Sequence, residues 1–186
     1  MFEKLLCQIG ASLDRYSLPY MIIGGQAVLL HGEPRLTRDI DITLGVNTDC
    51  LGELLSVLQE LQLKPIPNDI ESFVTQTMVL PALDEATGIR VDFIFSFTPY
   101  ETEAIKRAEK VTILDQKVNF ASAEDLIIHK IFSGRPRDIE DVKTIILKNP
   151  KIDIQHIRVW LKEFDASSGE KEFLRTFEEV FKELEG

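Results

Sequence analysis

Cysteine and tryptophan are scarce in this chain, and positive charge falls well short of negative. The two cysteines, Cys7 and Cys50, have no metal-ligand spacing and make no disulfide framework, so the expected setting is a reducing cytoplasm. Lys and Arg number 21 against 31 Asp and Glu, a net charge of −10. That balance excludes a general, charge-driven nucleic-acid binder, which carries a basic excess, and leaves room only for a local basic patch. No apolar run approaches the roughly 20 residues of a membrane-spanning helix. The acidic, amphipathic N-terminal stretch lacks the pattern of a signal peptide, and no membrane partner is expected. Internal repeats and low-complexity segments are missing as well. What is present is an ordinary globular mixture, 44% hydrophobic and 28% charged over 186 residues. It suffices for one buried core: a single domain, or one domain with a helical extension.

Residues 21–44, MIIGGQAVLLHGEPRLTRDIDITL, organise that domain. Met21–Ile23 reads as a short apolar strand, Gln26–His31 as a short helix closed near Gly32, and the residues around Asp39 and Asp41 as a second strand. Strand side chains alternate, so Asp39 and Asp41 share one face while Ile40 and Ile42 turn to a core. Two carboxylates that close repel unless a proton, a cationic side chain or a metal neutralises them. Oxygen ligands at this spacing suit Mg²⁺ (or Mn²⁺), which takes its remaining ligands from substrate phosphates and water. Gly24 and Gly25, lacking Cβ atoms, let backbone N–H groups approach an anion at the start of a helix whose dipole attracts one. Each signal alone is weak. Strand, Gly-Gly, helix and Asp-x-Asp strand in that order, with thirteen residues between Gly25 and Asp39, is much stronger. Arg35 and Thr37 share the parity of Asp39. If the strand already runs there, Arg35 meets a phosphate and Thr37 a phosphate or a metal-bound water; surface charge balance is the other reading of Arg35.

The flanking chain supplies scaffolding and two more charged positions. Residues 2–16 and 49–63 carry apolar residues at helical spacing, with Asn47 and Thr48 as N-cap candidates for the second. Residues 72–80 (SFVTQTMVL) and 89–95 (IRVDFIF) read as two strands of a hairpin around the turn at 84–88. Asp92 is a charge inside an otherwise apolar strand, and burying it without a partner costs several kcal/mol. Arg90, or another cation, is one candidate partner. Residues 100–109 read as a helix and 111–120 as a short hairpin. Ser122-x-x-Asp125 is a capping box for a helix whose buried side is Ile127, Ile128, Ile131 and Phe132, with Lys130 off that stripe. Gly134 ends that helix and Pro136 suits the first turn of the next, where Asp138 and Asp141 share a face and can pair with Lys130 or Arg135. Two further helices, with stripes at Ile157–Phe164 and Phe173–Leu184, are joined by a loop over Asp165–Gly169.

The combination Gly24-Gly25-x-Ala27, His31-Gly32, Arg35-x-Thr37-x-Asp39-Ile40-Asp41 resembles the nucleotidyltransferase superfamily typified by DNA polymerase β, and within it the small prokaryotic branch of AbiEii-type toxins. The resemblance implies an α+β fold: a small mixed sheet flanked by helices over residues 1–120, and a C-terminal helical region over 121–186, with the nucleotide in a cleft between the halves. It implies a third catalytic carboxylate at Asp92, completing with Asp39 and Asp41 a cluster for two metals, one orienting a triphosphate and one helping to activate an acceptor hydroxyl. It assigns Lys130 to the nucleotide through the run Glu124–Lys130, beside the phosphate candidates Gly24, Gly25, Arg35 and Thr37. The implied activity is transfer of an NMP from an NTP to RNA, a protein hydroxyl or a small molecule, with an antitoxin as a candidate partner protein. The competing reading is a nucleotide-binding regulatory module with weak or no catalysis, acting through a partner. The resemblance is silent beyond about residue 150.

Overall fold

The computed structural model of the chain describes residues 2–169 and 171–185. The chain divides into two compact units, Met1–Gln26 with Leu36–Ala121, and Ala27–Arg35 with Ser122–Gly186.

The first unit is built on a mixed sheet. Its strands are β1 (Tyr20–Ile23), β2 (Asp39–Leu44), β3 (Lys64–Pro65), β4 (Val79–Asp84), β5 (Ile89–Phe95), β6 (Glu109–Ile113) and β7 (Gln116–Phe120). Among the described residues their order is β3-β4-β5-β2-β1-β7-β6. The pairs β2–β5 and β1–β7 are parallel and the others antiparallel. Ile40, Ile42, Val91 and Phe93, alternate residues of β2 and β5, are fully buried. Each such side chain contributes about 1.5–3 kcal/mol by leaving water. The helix α1 (Phe2–Arg15) buries Leu5, Leu6, Ile9 and Leu13 and packs on β7 and on α3 (Leu51–Leu61), whose own buried residues are Leu54, Val57 and Leu58. With one face of β2 and β5 committed to the core, the alternate residues Asp39, Asp41, Arg90 and Asp92 are left on the other face, half-buried or exposed.

The stretch 72–80 departs from the expected strand. Residues Ile70–Thr77 form the helix α4, and the strand follows it as β4. A cap overrides the β-branched composition. The Asp69 carboxylate accepts from Ser72 N at 3.1 Å, and Met78, left-handed at φ 59°, closes the helix by donating its N–H to Val74 O. The hairpin survives with its first strand moved later in the chain: Pro81 is the register partner of Asp92. Helix α2 (Gly24–His31) forms as expected, but residues 33–38 are irregular and β2 begins at Asp39. Arg35 and Thr37 therefore stand before the strand, not on it. The helix α3 is preceded by a single 3₁₀ turn at Thr48–Cys50, for which Asn47 gives no side-chain cap. It is ended by left-handed Gln62, and Pro65 lies beyond it in β3. The helix α5 (Pro99–Lys106) is capped by Thr98.

The second unit is helical: the last part of α2, then α6 (Ala123–Ser133), α7 (Pro136–Lys148), α8 (Ile154–Ser168) and α9 (Phe173–Glu185). Ser122 caps α6 as its sequence predicts, accepting from Asp125 N at 3.1 Å while its hydroxyl donates to Asp125 Oδ2 at 2.7 Å. The stripe on α6 is not the expected one. Phe132 is 54% exposed, stacked on Phe173 at 5.0 Å, whereas Lys130 is buried with Leu126, Ile127, Ile128 and Ile131. A helix packed on several sides buries residues beyond one amphipathic stripe, and a lysine caught there must find carboxylates. The expected loop at Asp165–Gly169 is also corrected. Helix α8 runs to Ser168 and stops at left-handed Gly169, and Asp165, inside it, caps α9 by accepting from Phe173 N (2.6 Å) and Leu174 N (3.2 Å). No helix among the described residues is long and apolar enough to cross a membrane.

Candidate active site

Within the first unit, strand register gathers the carboxylates. Asp41 on β2 faces Ile23, the last residue of β1, on one side and Asp92 of β5 on the other; Asp39 is the register partner of Arg90. Cross-strand partners on one face stand close enough for their charges to interact directly. Asp39, Asp41 and Asp92, separated by up to 53 positions in sequence, thus meet on adjacent strands of one sheet face.

The glycine pair is explained by what lies against it. Gly24 has φ +61°, the left-handed region, and a Cβ there would overlap Asp41 Oδ2 and sit 2.8 Å from Asp41 Cγ. A Cβ on Gly25 would overlap Thr37 Oγ1 and sit 2.8 Å from Thr37 Cβ. The first turn of α2 thus presses its bare backbone against one aspartate and one threonine. Thr37 in turn donates to Asp39 Oδ1 at 2.9 Å, fixing that carboxylate. The α2 N-terminus carries no acidic residue in its own first turn, and the carboxylate that stands against it is that of Asp41.

Asp92 has a partner. Arg90, two residues before it on the same strand face, donates from Nε to Asp92 Oδ1 at 2.8 Å. Arg90 is 54% exposed along its side chain and Asp92 19%. The hydrogen bond to Asp92 first of all, helped by the charges of Asp92, Asp39 and Asp41, raises the Arg90 guanidinium above its usual range and outweighs burial, the second-largest effect, which lowers it. The four groups form one electrostatic cluster. Sequence parity already marks Arg90 as the neighbour of Asp92, but gives no measure of its reach to Asp39 and Asp41.

Asp39, Asp41 and Asp92 offer only hard oxygen donors on one face, the donor chemistry that Mg²⁺ or Mn²⁺ takes. The Gly24 backbone leaves room for the Asp41 carboxylate where any side chain would fill it. In ligand type and register the residues fit a divalent cation. In side-chain conformation they are not gathered: among the described residues no three His, Cys, Asp or Glu side chains form a group able to hold an ion. Asp92 is engaged by the bond from Arg90.

The remaining site candidates, Arg35 and Lys130, belong to the second unit. Lys130 Nζ lies 2.7 Å from Asp138 Oδ1 and 2.9 Å from Asp141 Oδ2, with all three side chains buried. Arg35 makes a bidentate pair with Asp141, Nε to Oδ1 and Nη2 to Oδ2, both 3.0 Å. Arg135 Nε donates to Asp138 Oδ2 at 2.6 Å. Burial pushes the Asp138 carboxyl up, but the hydrogen bonds from Arg135 and Lys130 outweigh it and hold the group below the usual carboxylate range. Pairing of Asp138 and Asp141 with Lys130 is the arrangement their spacing suggests; the bond from Arg35 to Asp141, 106 positions away, has no local signal in the sequence. Asp125, fully buried between Ser122 and His156 Nε2 (3.2 Å), is a second such pair that the sequence does not announce.

With this geometry in view, comparison with known proteins is informative. No curated protein matches the sequence. Among solved structures, the antibiotic-resistance factor ANT(2'')-Ia is similar at 20% identity and a TM-score of 0.59, over 90% of this chain and 92% of that one. A crystal structure of ANT(2'')-Ia in complex with adenylyl-2''-tobramycin gives 20% and 0.58, over 89% and 97%. An antigenic nucleotidyltransferase-like protein from Paracoccidioides brasiliensis gives 18% and 0.55, over 90% and 88%. At such identities the likeness is one of fold, and the fold is the polymerase β-like nucleotidyltransferase fold: a mixed sheet with flanking helices. Residues 1–185 match the family model described as "Nucleotidyltransferase of unknown function (DUF6036)", and the chain belongs to that nucleotidyltransferase family.

Proposed function

We propose that this nucleotidyltransferase moves an NMP from an NTP, bound with Mg²⁺ or Mn²⁺, to a hydroxyl of a small molecule, with loss of pyrophosphate. The observation that carries the reading is the register of Asp41 with Asp92 across parallel strands, beside a Gly24 that admits no Cβ. Asp39 and Asp41 are the residues to hold the cation, joined by Asp92; when bound, it supplies charge neutralisation and orientation for the triphosphate. The backbone N–H groups of Gly24 and Gly25 take the phosphates, with Thr37 beside them. The acceptor oxygen attacks the α-phosphorus, the bond from that phosphorus to the pyrophosphate oxygen breaks, and Asp92 receives the hydroxyl proton. Arg35, read toward a phosphate from its parity with Asp39, and Lys130, assigned to the triphosphate by resemblance, are held by aspartates in the second unit, and their nucleotide role is part of the proposal.

Charge favours the small acceptor. The first unit carries 16 Asp and Glu against nine Lys and Arg, a net of −7, which repels a polyanion such as RNA and leaves a neutral or cationic polyol unopposed. The structure of ANT(2'')-Ia with adenylyl-2''-tobramycin supports the same class of acceptor. The bond from Arg90 to Asp92 favours a second reading, a nucleotide-binding module without catalysis that works through a partner such as an antitoxin.

The test incubates the protein with each α-³²P-labelled NTP and Mg²⁺ or Mn²⁺, in separate reactions with total RNA, cell protein and a panel of polyhydroxylated amines. Asp39→Asn is the control. Label on a small acceptor, lost in Asp39→Asn, is the expected result. Label on RNA overturns the acceptor class, and NTP binding without any transfer establishes the regulatory reading instead.

A further inference from the structure

We propose that Arg90 is a resident counter-ion of the carboxylate cluster, which holds Asp92 until a divalent cation displaces it and thereby keeps the free protein weak in metal affinity. The inference rests on the cation-site reading above. Asp39, Asp41, Asp92 and Arg90 together carry a charge of −2, and Asp92 is bonded to the guanidinium at 2.8 Å. Asp39 is held by Thr37 and Asp41 lies against Gly24, so those two are already placed; Asp92 is the member that must turn.

Arg90 suits an exchange. Its side chain is more than half exposed, so a freed guanidinium finds water without desolvation, whereas Asp92 is mostly buried and needs a positive partner in either state. A cation entering beside Asp39 and Asp41 supplies that partner. The guanidinium competes with it, both by occupying Asp92 Oδ1 and by like-charge repulsion across the few ångströms of a strand pair. The consequence is conditional loading: the cation arrives most readily with the triphosphate, whose own negative charge offsets that repulsion.

The test measures Mn²⁺ affinity of the protein without nucleotide, from the loss of the free-Mn²⁺ electron paramagnetic resonance signal. It compares wild type with Arg90→Gln, Arg90→Met and Arg90→Lys, with circular dichroism to check folding. The two neutral variants are expected to bind Mn²⁺ about tenfold more tightly, and Arg90→Lys to stay within about threefold of wild type because it keeps the charge. Added NTP should narrow the gap between neutral variants and wild type. Unchanged or weaker Mn²⁺ binding in both neutral variants, with wild-type binding intact, overturns the counter-ion role alone. Absence of Mn²⁺ binding in every form, with or without NTP, overturns the cation site itself and this inference with it. A merely structural Arg90 would move the melting temperature and leave the Mn²⁺ affinity where it was.

Discussion

Replacing Gly24 with alanine isolates the contact on which the proposed phosphate turn depends. The native φ of +61° costs a residue with a Cβ about 1–2 kcal/mol. The new methyl group also overlaps the Asp41 carboxylate, and either Asp41 rotates away or α2 shifts, adding about 1 kcal/mol. The expected loss is therefore about 2–3 kcal/mol in all, and at roughly 2–4 °C per kcal/mol for a chain of this size the melting temperature falls by about 5–10 °C. Nucleotide binding in the presence of Mg²⁺ should be lost with it, because Asp41 is one of the residues proposed to hold the cation. Gly25→Ala is the internal control. Its φ is not in the left-handed region, alanine is the better helix former by about 1 kcal/mol, and the residue it displaces, Thr37, lies in irregular chain. Gly25→Ala should stay within about 1 kcal/mol of wild type in stability while weakening nucleotide binding through the Thr37–Asp39 bond. Calorimetry and equilibrium binding of a fluorescent NTP analogue read both quantities. A Gly24→Ala protein that melts with wild type and binds the analogue equally well would refute the reasoning.

Two further predictions concern the charges of the second unit. Lys130→Met leaves Asp138 and Asp141 buried with one cation fewer each, so urea unfolding should show a loss of about 3–5 kcal/mol, whereas Lys64→Met, the comparison at the exposed Lys64–Glu85 pair of the first unit, should leave the urea midpoint close to that of wild type. The folded Asp138 carboxyl is depressed, so its stabilisation is complete above the unfolded carboxyl value near 3.8 and disappears as pH falls through the lower folded value. Asp138→Asn should therefore flatten the pH dependence of stability below about pH 4, relative to wild type, and a stability profile indistinguishable from wild type in that range would count against the pairing.

How much of this was readable in advance differs from element to element. Ile40 and Ile42 alternate with Asp39 and Asp41, and that local period of two suffices to place both carboxylates on one face. The Ser122 box, Gly134 and Pro136 mark their helix boundaries because each acts within four residues of the chain. The stretch 72–80 misleads because Phe73, Val74 and Thr77 favour a strand by type, while the deciding interaction is one carboxylate, Asp69, on one N–H. Lys130 looks like a solvated residue because its burial depends on how α6, α7 and their neighbours pack, which no local window contains. The same holds at the site. Asp92 announces itself by its charge in an apolar strand, but that Arg90 claims it, and that Arg35 belongs to Asp141, follows only from the three-dimensional arrangement.

The helix that opens with Gly24-Gly25 starts in one compact unit and finishes in the other. Residues 27–35 are tied into the helical unit by Asn149 Nδ2 on His31 O, by Thr144 Oγ1 under Glu33 N and by Asp141 on Arg35. The helical unit is consequently written in two separate stretches of the gene, and no single cut frees it. A fragment ending at Ala121 keeps a nine-residue segment whose hydrogen-bonding partners have been removed. Exchanging the helical unit for a relative's requires exchanging both stretches together. Recombination at one boundary leaves residues 27–35 without the helices they hydrogen-bond to.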